Sequence, residues 1–234
     1  MRPGIRNGVI HAHRKLVEVL WLWVLKSQQV EILNLKSIFM IKNIAQLIRI
    51  GQTALQRTAR KDICSILESV LKDIDPFLLV QKNIECKNNI LRIADSLDLP
   101  LPDYDNIYVV GAGKAVYRMA LAVEKLLGRK IADGFINIPE LPARNTLKSI
   151  KISKARHPTP SIQGVRGTKR IIQILKKAGT RDLVIGIISG GGSALMPLPA
   201  EGITLKEKIA LTSLLLKTPA TIHEINVVRK HLSH

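Results

Sequence analysis

Two glycine-rich turns carry the residues best suited to chemistry in this sequence: GAGKA at 111–115 and SGGGSA at 189–194. Each follows an apolar run and precedes a helix-patterned stretch. Glycine lets the backbone approach a ligand closely and take φ > 0. A helix N-terminus adds unpaired N–H groups and the positive end of the helix dipole. Together they make a cradle for an anion, either a phosphate or a carboxylate. Gly111, Gly113, Ser189, Gly190, Gly191, Gly192 and Ser193 are the candidate cradle residues. Lys114 puts a full positive charge in the first helical turn, where it opposes the dipole. A negative ligand would offset that conflict.

GAGKA alone is a weak signal. It is not a P-loop, because GxxxxGK[ST] is absent, and Val116 stands where GxGxxG has its third glycine. A bare Gly-x-Gly after a strand is as often a tight turn. SGGGSA is more specific. Three consecutive glycines have little reason to occur there except close backbone approach, and two serines add hydroxyl donors.

Other residues weigh less. His157, in RHPTP, follows a strand, and a structural loop histidine is the plainer reading. Asn226, Arg229 and Ser233 share one face of a late helix by i, i+3 and i+7 spacing. A solvated basic face competes with a binding role there. His223, His231 and His234 form no metal set with carboxylates, so no metal ligand is assigned. Asp182 opens its strand and so lies at the wrong edge for catalysis. Cys64 and Cys86 lack CxxC spacing and propose neither a disulfide framework nor a zinc site.

The elements that must position these residues alternate between strand and helix. NIYVVGAG is a strand that ends in glycines, and AVYRMALAVEKLL is a helix with Gly128 placed to stop it. GFINIP and IKISK are strands. SIQGVRGTKRIIQILKKAG is a helix with Ser161 as N-cap and Gly179 as its stop. Leu183 to Ile188 is a continuous apolar run, the pattern of a strand buried on both faces. TLKEKIALTSLLLK and ATIHEINVVRKHLS are helices. Ile63, Ile66, Leu67, Val70 and Leu71 line one face of an earlier helix, and Pro76 opens another. The expected fold is α/β, a Rossmann-like three-layer sandwich with a mostly parallel sheet. In such sheets ligands sit beyond the carboxyl ends of the strands, where both glycine turns fall.

The chain has 234 residues and a net charge of +18. Residues 1–61 hold 11 Lys/Arg and only Glu18 and Glu31, so half the excess sits in about a quarter of the chain. The remainder is moderately basic and suits anionic metabolites as well as polynucleotides. Aromatics are 3% of residues, with no run for stacking single strands, so no nucleic acid is expected. The alternative is a basic Rossmann-like module that binds nucleotides or RNA without catalysis. Val19 to Leu25 is apolar but far too short to span a bilayer, so no membrane is expected. MIKNIAQLIRIGQTALQRTARK, from Met40, reads as one basic amphipathic helix, the composition of a mitochondrial transit peptide. The expected location is mitochondrial or cytoplasmic. The expected division is a basic N-terminal extension at 1–61 and a Rossmann-like domain at 62–234.

Five segments together resemble the class II glycerate kinases: VVGAGKAVYRMA, GFINIP, RHPTPSIQGVRGTKRII, DLVIGIISGGGSALMPLPAEGITLKEKIALTSLLLK and IHEINVVRKHLS. The similarity runs in order from about Lys61 to Ser233. The resemblance implies phosphorylation of D-glycerate to 2-phosphoglycerate, with ATP as donor and Mg2+ as the divalent ion. It implies that Lys114 is a key active-site residue. Ser189 to Ser193 would hold the glycerate carboxylate or a phosphate, with Asn226 and Arg229 approaching from the last helix. Two departures stand out. Thr218-Pro219-Ala220 replaces a Gly-Ala pair common in the family. The family also continues past RKHLS with a Lys-Gly-Gly segment and a second domain carrying a catalytic arginine. The 62–234 domain is therefore expected to be incomplete, to catalyse little alone and to self-associate through the last helix.

Overall fold

The computed structural model describes residues 18–23, 41, 43–94 and 96–234. In chain order the elements are β1 (Glu18–Trp23), α1 (Ile44–Arg49), α2 (Ala54–Asp73), α3 (Pro76–Asn83), β2 (Ile84–Lys87), β3 (Ile90–Ile93) and β4 (Leu97–Pro100). There follow β5 (Asn106–Ala112), α4 (Val116–Leu127), β6 (Ile131–Ile138), β7 (Ile150–Lys154), α5 (Ile162–Lys177) and β8 (Asp182–Ile188). The last helices are α6 (Gly192–Leu195), α7 (Leu205–Leu215) and α8 (Ile222–His231).

Among the described residues, five strands form one sheet in the order β1-β8-β5-β6-β7, and every pairing in it is parallel. The strands are apolar on both faces because both faces are covered. On one side Val116, Met119, Ala120 and Val123 of α4 pack against Ile107 and Val109 of β5 and Ile185 and Ile187 of β8. On the other, Ile171 and Ile174 of α5 pack against Tyr108, Val110 and Val184. The three-layer α/β expectation therefore holds. After β5 the chain passes through α4 to β6, and after β7 it passes through α5 back to β8 on the far side of β5. The winding direction reverses between β5 and β8, and the crevice at their carboxyl ends is the topological switch point.

Local signals behave as their chemistry dictates. Asp75 caps α3 by accepting from Phe77 N at 2.9 Å, with Pro76 in the first turn. Ser161 Oγ accepts from Gly164 N at 3.2 Å and starts α5. Gly128, at φ +54°, ends α4.

Three features differ from the sequence pattern or add to it. The basic stretch read as one helix is broken into α1 and α2. Thr53 Oγ1 accepts from Gln56 N at 3.2 Å while Gln56 Oε1 accepts from Thr53 N at 3.4 Å, a capping box that restarts the helix. Met40 and Lys42, from the targeting reading, lie outside the described residues, as do 1–17 and 24–39. The Lys61/Asp62 position falls inside α2. The apolar stripe of α2 is not core: Ile63, Ile66, Leu67 and Val70 are 49% to 63% exposed, whereas Cys64 is buried. Finally, β2, β3 and β4 form an antiparallel meander that packs Ile84, Leu91, Ile93 and Leu99 into the α4 side of the core. Among the described residues, no helix is long and apolar enough to cross a membrane.

Candidate functional site

The two glycine turns meet at the switch point and are hydrogen-bonded to each other. Ala112 O accepts from Ser189 N at 3.3 Å, and Gly190 O accepts from Lys114 N at 2.9 Å. Ser189 Oγ accepts from Ala115 N at 3.0 Å. The N–H groups of Lys114 and of the N-cap residue Ala115 are thus satisfied by the β8 loop, and Lys114 sits just ahead of α4 rather than in its first turn; among the described residues no acceptor takes the N–H of Val116 or Tyr117. The glycines follow from this approach. A Cβ at Gly111 would lie 2.0 Å from Ile187 O, and one at Gly113 would lie 2.0 Å from Ser189 Oγ. The close contact at both positions is between the two strand ends.

Further open donors lie on the other turn. Among the described residues, no acceptor takes the N–H of Gly190, Gly191, Gly192 or Ser193. Gly191 takes the left-handed conformation, φ +90°, that lets the loop turn into α6. Lys114 stands exposed beside this loop.

His157, which follows β7, closes a third side. Its ring packs on Gly191: a Cβ there would meet Cδ2 at 2.9 Å and Nε2 at 3.1 Å. Burial of part of the ring, then the charges of Lys114 and Arg229, hold its pKa below the ordinary histidine value. Arg229 reaches the same region from α8. It is half-buried, its Nη2 is buried with no hydrogen-bond partner, and desolvation lowers its pKa. Behind it Lys208 is 2% exposed. Its Nζ donates to Leu232 O at 2.8 Å and Ser233 Oγ at 2.5 Å, fixing the end of α8 to α7. Burial and then Arg229 lower the Lys208 pKa.

Lys114, His157, Arg229 and Lys208 form a chain of cationic or protonatable groups in mutual electrostatic reach. No carboxylate is among the groups acting on His157, Lys208 or Arg229. Such a cluster is costly when empty and is offset by an anion.

The fold thus brings Lys114, Ser189 to Ser193 and Arg229 to one place. Asn226 is exposed on α8, and no hydrogen bond of its side chain is present among the described residues. Asp182 accepts from Asn106 Nδ2 and Gly179 N at the far edge of the sheet, as its position predicts. Sequence reasoning set His157 aside and missed Lys208. Nothing in LKEKIALTSLL distinguishes the buried Lys208 from its exposed neighbours Lys206 and Glu207.

Comparison with known proteins bears on this site. Residues 62–234 match a family described as a domain of unknown function, DUF4147. The chain is 37% identical over 155 residues to a D-glycerate 2-kinase of Thermotoga maritima, covering 66% of this chain and 37% of the relative. It is 45% identical over 127 residues to a glycerate 2-kinase of Pyrococcus horikoshii, covering 54% of this chain and 28% of that one. The crystal structure of a Thermotoga maritima glycerate kinase superposes with a TM-score of 0.59 at 34% identity, covering 72% of this chain and 37% of that one. The chain therefore spans about a third of the length of these relatives.

Proposed function

The chain belongs to the DUF4147 family, and from that premise we propose that it serves ATP-dependent phosphorylation of D-glycerate to 2-phosphoglycerate. Residues 62–234 supply the anion-binding wall of the site. The observation that carries this reading is the convergence of Lys114, His157 and Arg229 beside the open N–H groups of Gly190 to Ser193. The relatives named as glycerate kinases support the substrate.

In phosphoryl transfer the protein mainly orients groups and neutralises charge on the transferred oxygens. Lys114, in the turn just ahead of α4, would neutralise phosphoryl oxygens. The Gly190 to Ser193 amides and Arg229 are placed to orient a carboxylate or a phosphate. Ser189 holds the two loops in register, and Gly111 and Gly113 permit their contact. The donor set does not fit a magnesium ion held by these side chains, because the charged groups gathered here are cationic. Among the described residues, no cluster of three His, Cys, Asp or Glu could hold a metal.

A chimera tests the reading. Residues 62–234 replace the matching third of the Thermotoga maritima relative, and ADP release is followed with D-glycerate and ATP. The expected result is D-glycerate-dependent turnover yielding 2-phosphoglycerate. A folded chimera that hydrolyses ATP equally with and without D-glycerate would remove the proposal.

Mitochondrial import from Met40 is a separable part of the reading, supported by the acid-free basic stretch of residues 40–61. Fusing residues 40–61 to a fluorescent reporter is expected to direct it to mitochondria. A reporter that stays cytosolic would discard this part alone.

A further inference from the structure

We propose that His157 determines which anion this site prefers: it stays neutral beside a singly charged carboxylate and takes up a proton when a doubly charged phosphoryl-class anion binds against Lys114 and Arg229. This rests on the reading of the cluster as an anion site and adds a ligand to it.

The geometry sets the argument. The His157 ring lies on the backbone of Gly191, in the middle of the open-amide loop. Two charged side chains act on it: Lys114 from the β5–α4 turn and Arg229 from α8. The third element against it, the Gly191 loop, carries no titratable group between Ser189 and Leu195. With the site empty, a proton on His157 would add a third positive charge to two that already lack a carboxylate. His157 as a whole is exposed, but partial desolvation where its ring lies on Gly191 opposes the proton in the same direction.

An arriving anion reverses these terms. A single negative charge cancels only one of the two positive charges, so the net charge still repels a proton and the imidazole stays largely neutral. A second negative charge cancels the other, removes that repulsion and favours the imidazolium at hydrogen-bond range. The bound state then holds more protons than the free state. By linkage, affinity for the dianion rises as pH falls, through the window between the free and occupied pKa values of His157. Affinity for a carboxylate changes little over the same window. The site therefore distinguishes phosphate ester from carboxylate by charge.

Sulfate is the suitable probe, because it remains a dianion while phosphate itself titrates. Isothermal titration calorimetry of the purified chain with sulfate, in two buffers of different ionisation heat near about pH 6.5, reads proton uptake directly. The wild-type chain is expected to take up roughly half a proton or more on binding sulfate and none on binding acetate. Its sulfate affinity is expected to rise about tenfold between about pH 8 and about pH 5, in line with the shift an opposite charge causes. His157→Gln should bind sulfate without uptake and with a flat pH profile. A second measurement needs no variant: the His157 Cε1–H NMR resonance should titrate at higher pH with sulfate than without. Uptake that persists in His157→Gln, a resonance midpoint unmoved by sulfate, or no binding at tens of millimolar sulfate (about 10 to 50 mM, a very weak affinity) would each overturn the proposal. Sulfate-linked uptake in a chain whose chimera ignores D-glycerate would overturn the kinase reading and leave this one standing. A chimera that phosphorylates D-glycerate without such uptake would do the reverse.

Discussion

Replacing Lys114 with alanine in the chimera is expected to lower phosphoryl transfer to D-glycerate by about a hundredfold or more. The reason is positional. Lys114 is exposed at the mouth of the switch-point crevice, and its backbone N–H, bonded to Gly190 O, survives the change. The clasp between the loops remains, and stability should move by no more than about 0.5 kcal/mol, as for other surface substitutions. On the proposed reading, the change removes a full charge facing oxygens that become more negative as the bond to the leaving group breaks. An interaction made chiefly in the transition state lowers kcat and kcat/KM together. The same assay therefore separates two roles. A parallel fall in both constants supports charge neutralisation, whereas a raised KM alone would assign Lys114 to substrate binding. Rates close to wild type would exclude it from the site.

A second large effect is expected at Gly111, and it concerns folding. Gly111→Ala drives a methyl group to 2.0 Å from the carbonyl oxygen of Ile187 in the adjacent strand. The obstacle is backbone in the centre of a parallel sheet, not the free end of a side chain. Overpacking of this kind costs about 3 kcal/mol or more, read as a lower urea midpoint. Gly190→Ala provides the contrast: nothing lies within 4 Å of its added Cβ. Its stability should stay within about 0.5 kcal/mol of the parent. Equal midpoints for the two variants would show that β5 and β8 do not approach as closely as described.

Much of the sheet could be read from the sequence, because its strands are long, apolar and ended by glycine. The run from Leu183 to Ile188 and the strand before GAGKA needed no context. The meander β2–β4 was hidden. Its strands have four residues each, too few for alternation to show, and its first turn is made by Asn88 and Asn89, both at positive φ. Asparagine tolerates that conformation, which a two-residue hairpin of this hand requires. The signal was present, but it sat at the end of an apolar stretch that continues the helical pattern of α3. The α1–α2 break was missed for a related reason. Side-chain periodicity carries across Gly51, and the Thr53–Gln56 capping box is visible only when sought. At the site, the loops could be located but their partnership could not. Lys114 and Gly190 are 76 positions apart, and no local rule pairs a carbonyl of one turn with an amide of another. His157 and Lys208 depend wholly on tertiary placement. One gains significance from the ring's seat on Gly191, the other from burial against the end of α8.

The attachment of α8 carries a mechanical consequence. Its last turn is held from several sides: Leu232 O accepts from Ala200 N and Lys208 Nζ, Pro199 bridges to Ser233, and His234 N donates to Leu198 O. Its first turn holds only its own Thr221–Glu224 capping box among the described hydrogen bonds, and Ile222 is exposed. Nearer the amino end the helix is held by packing, because Ile225 is buried at 6% exposure. The helix is therefore a beam supported at two points, by hydrogen bonds at Leu232 to His234 and by an apolar contact at Ile225. Arg229 lies between the two supports and within one turn of the hydrogen-bonded one. The charge that completes the cluster thus rests on the span fixed at both ends, and the exposed overhang is only the turn from Thr221 to Glu224.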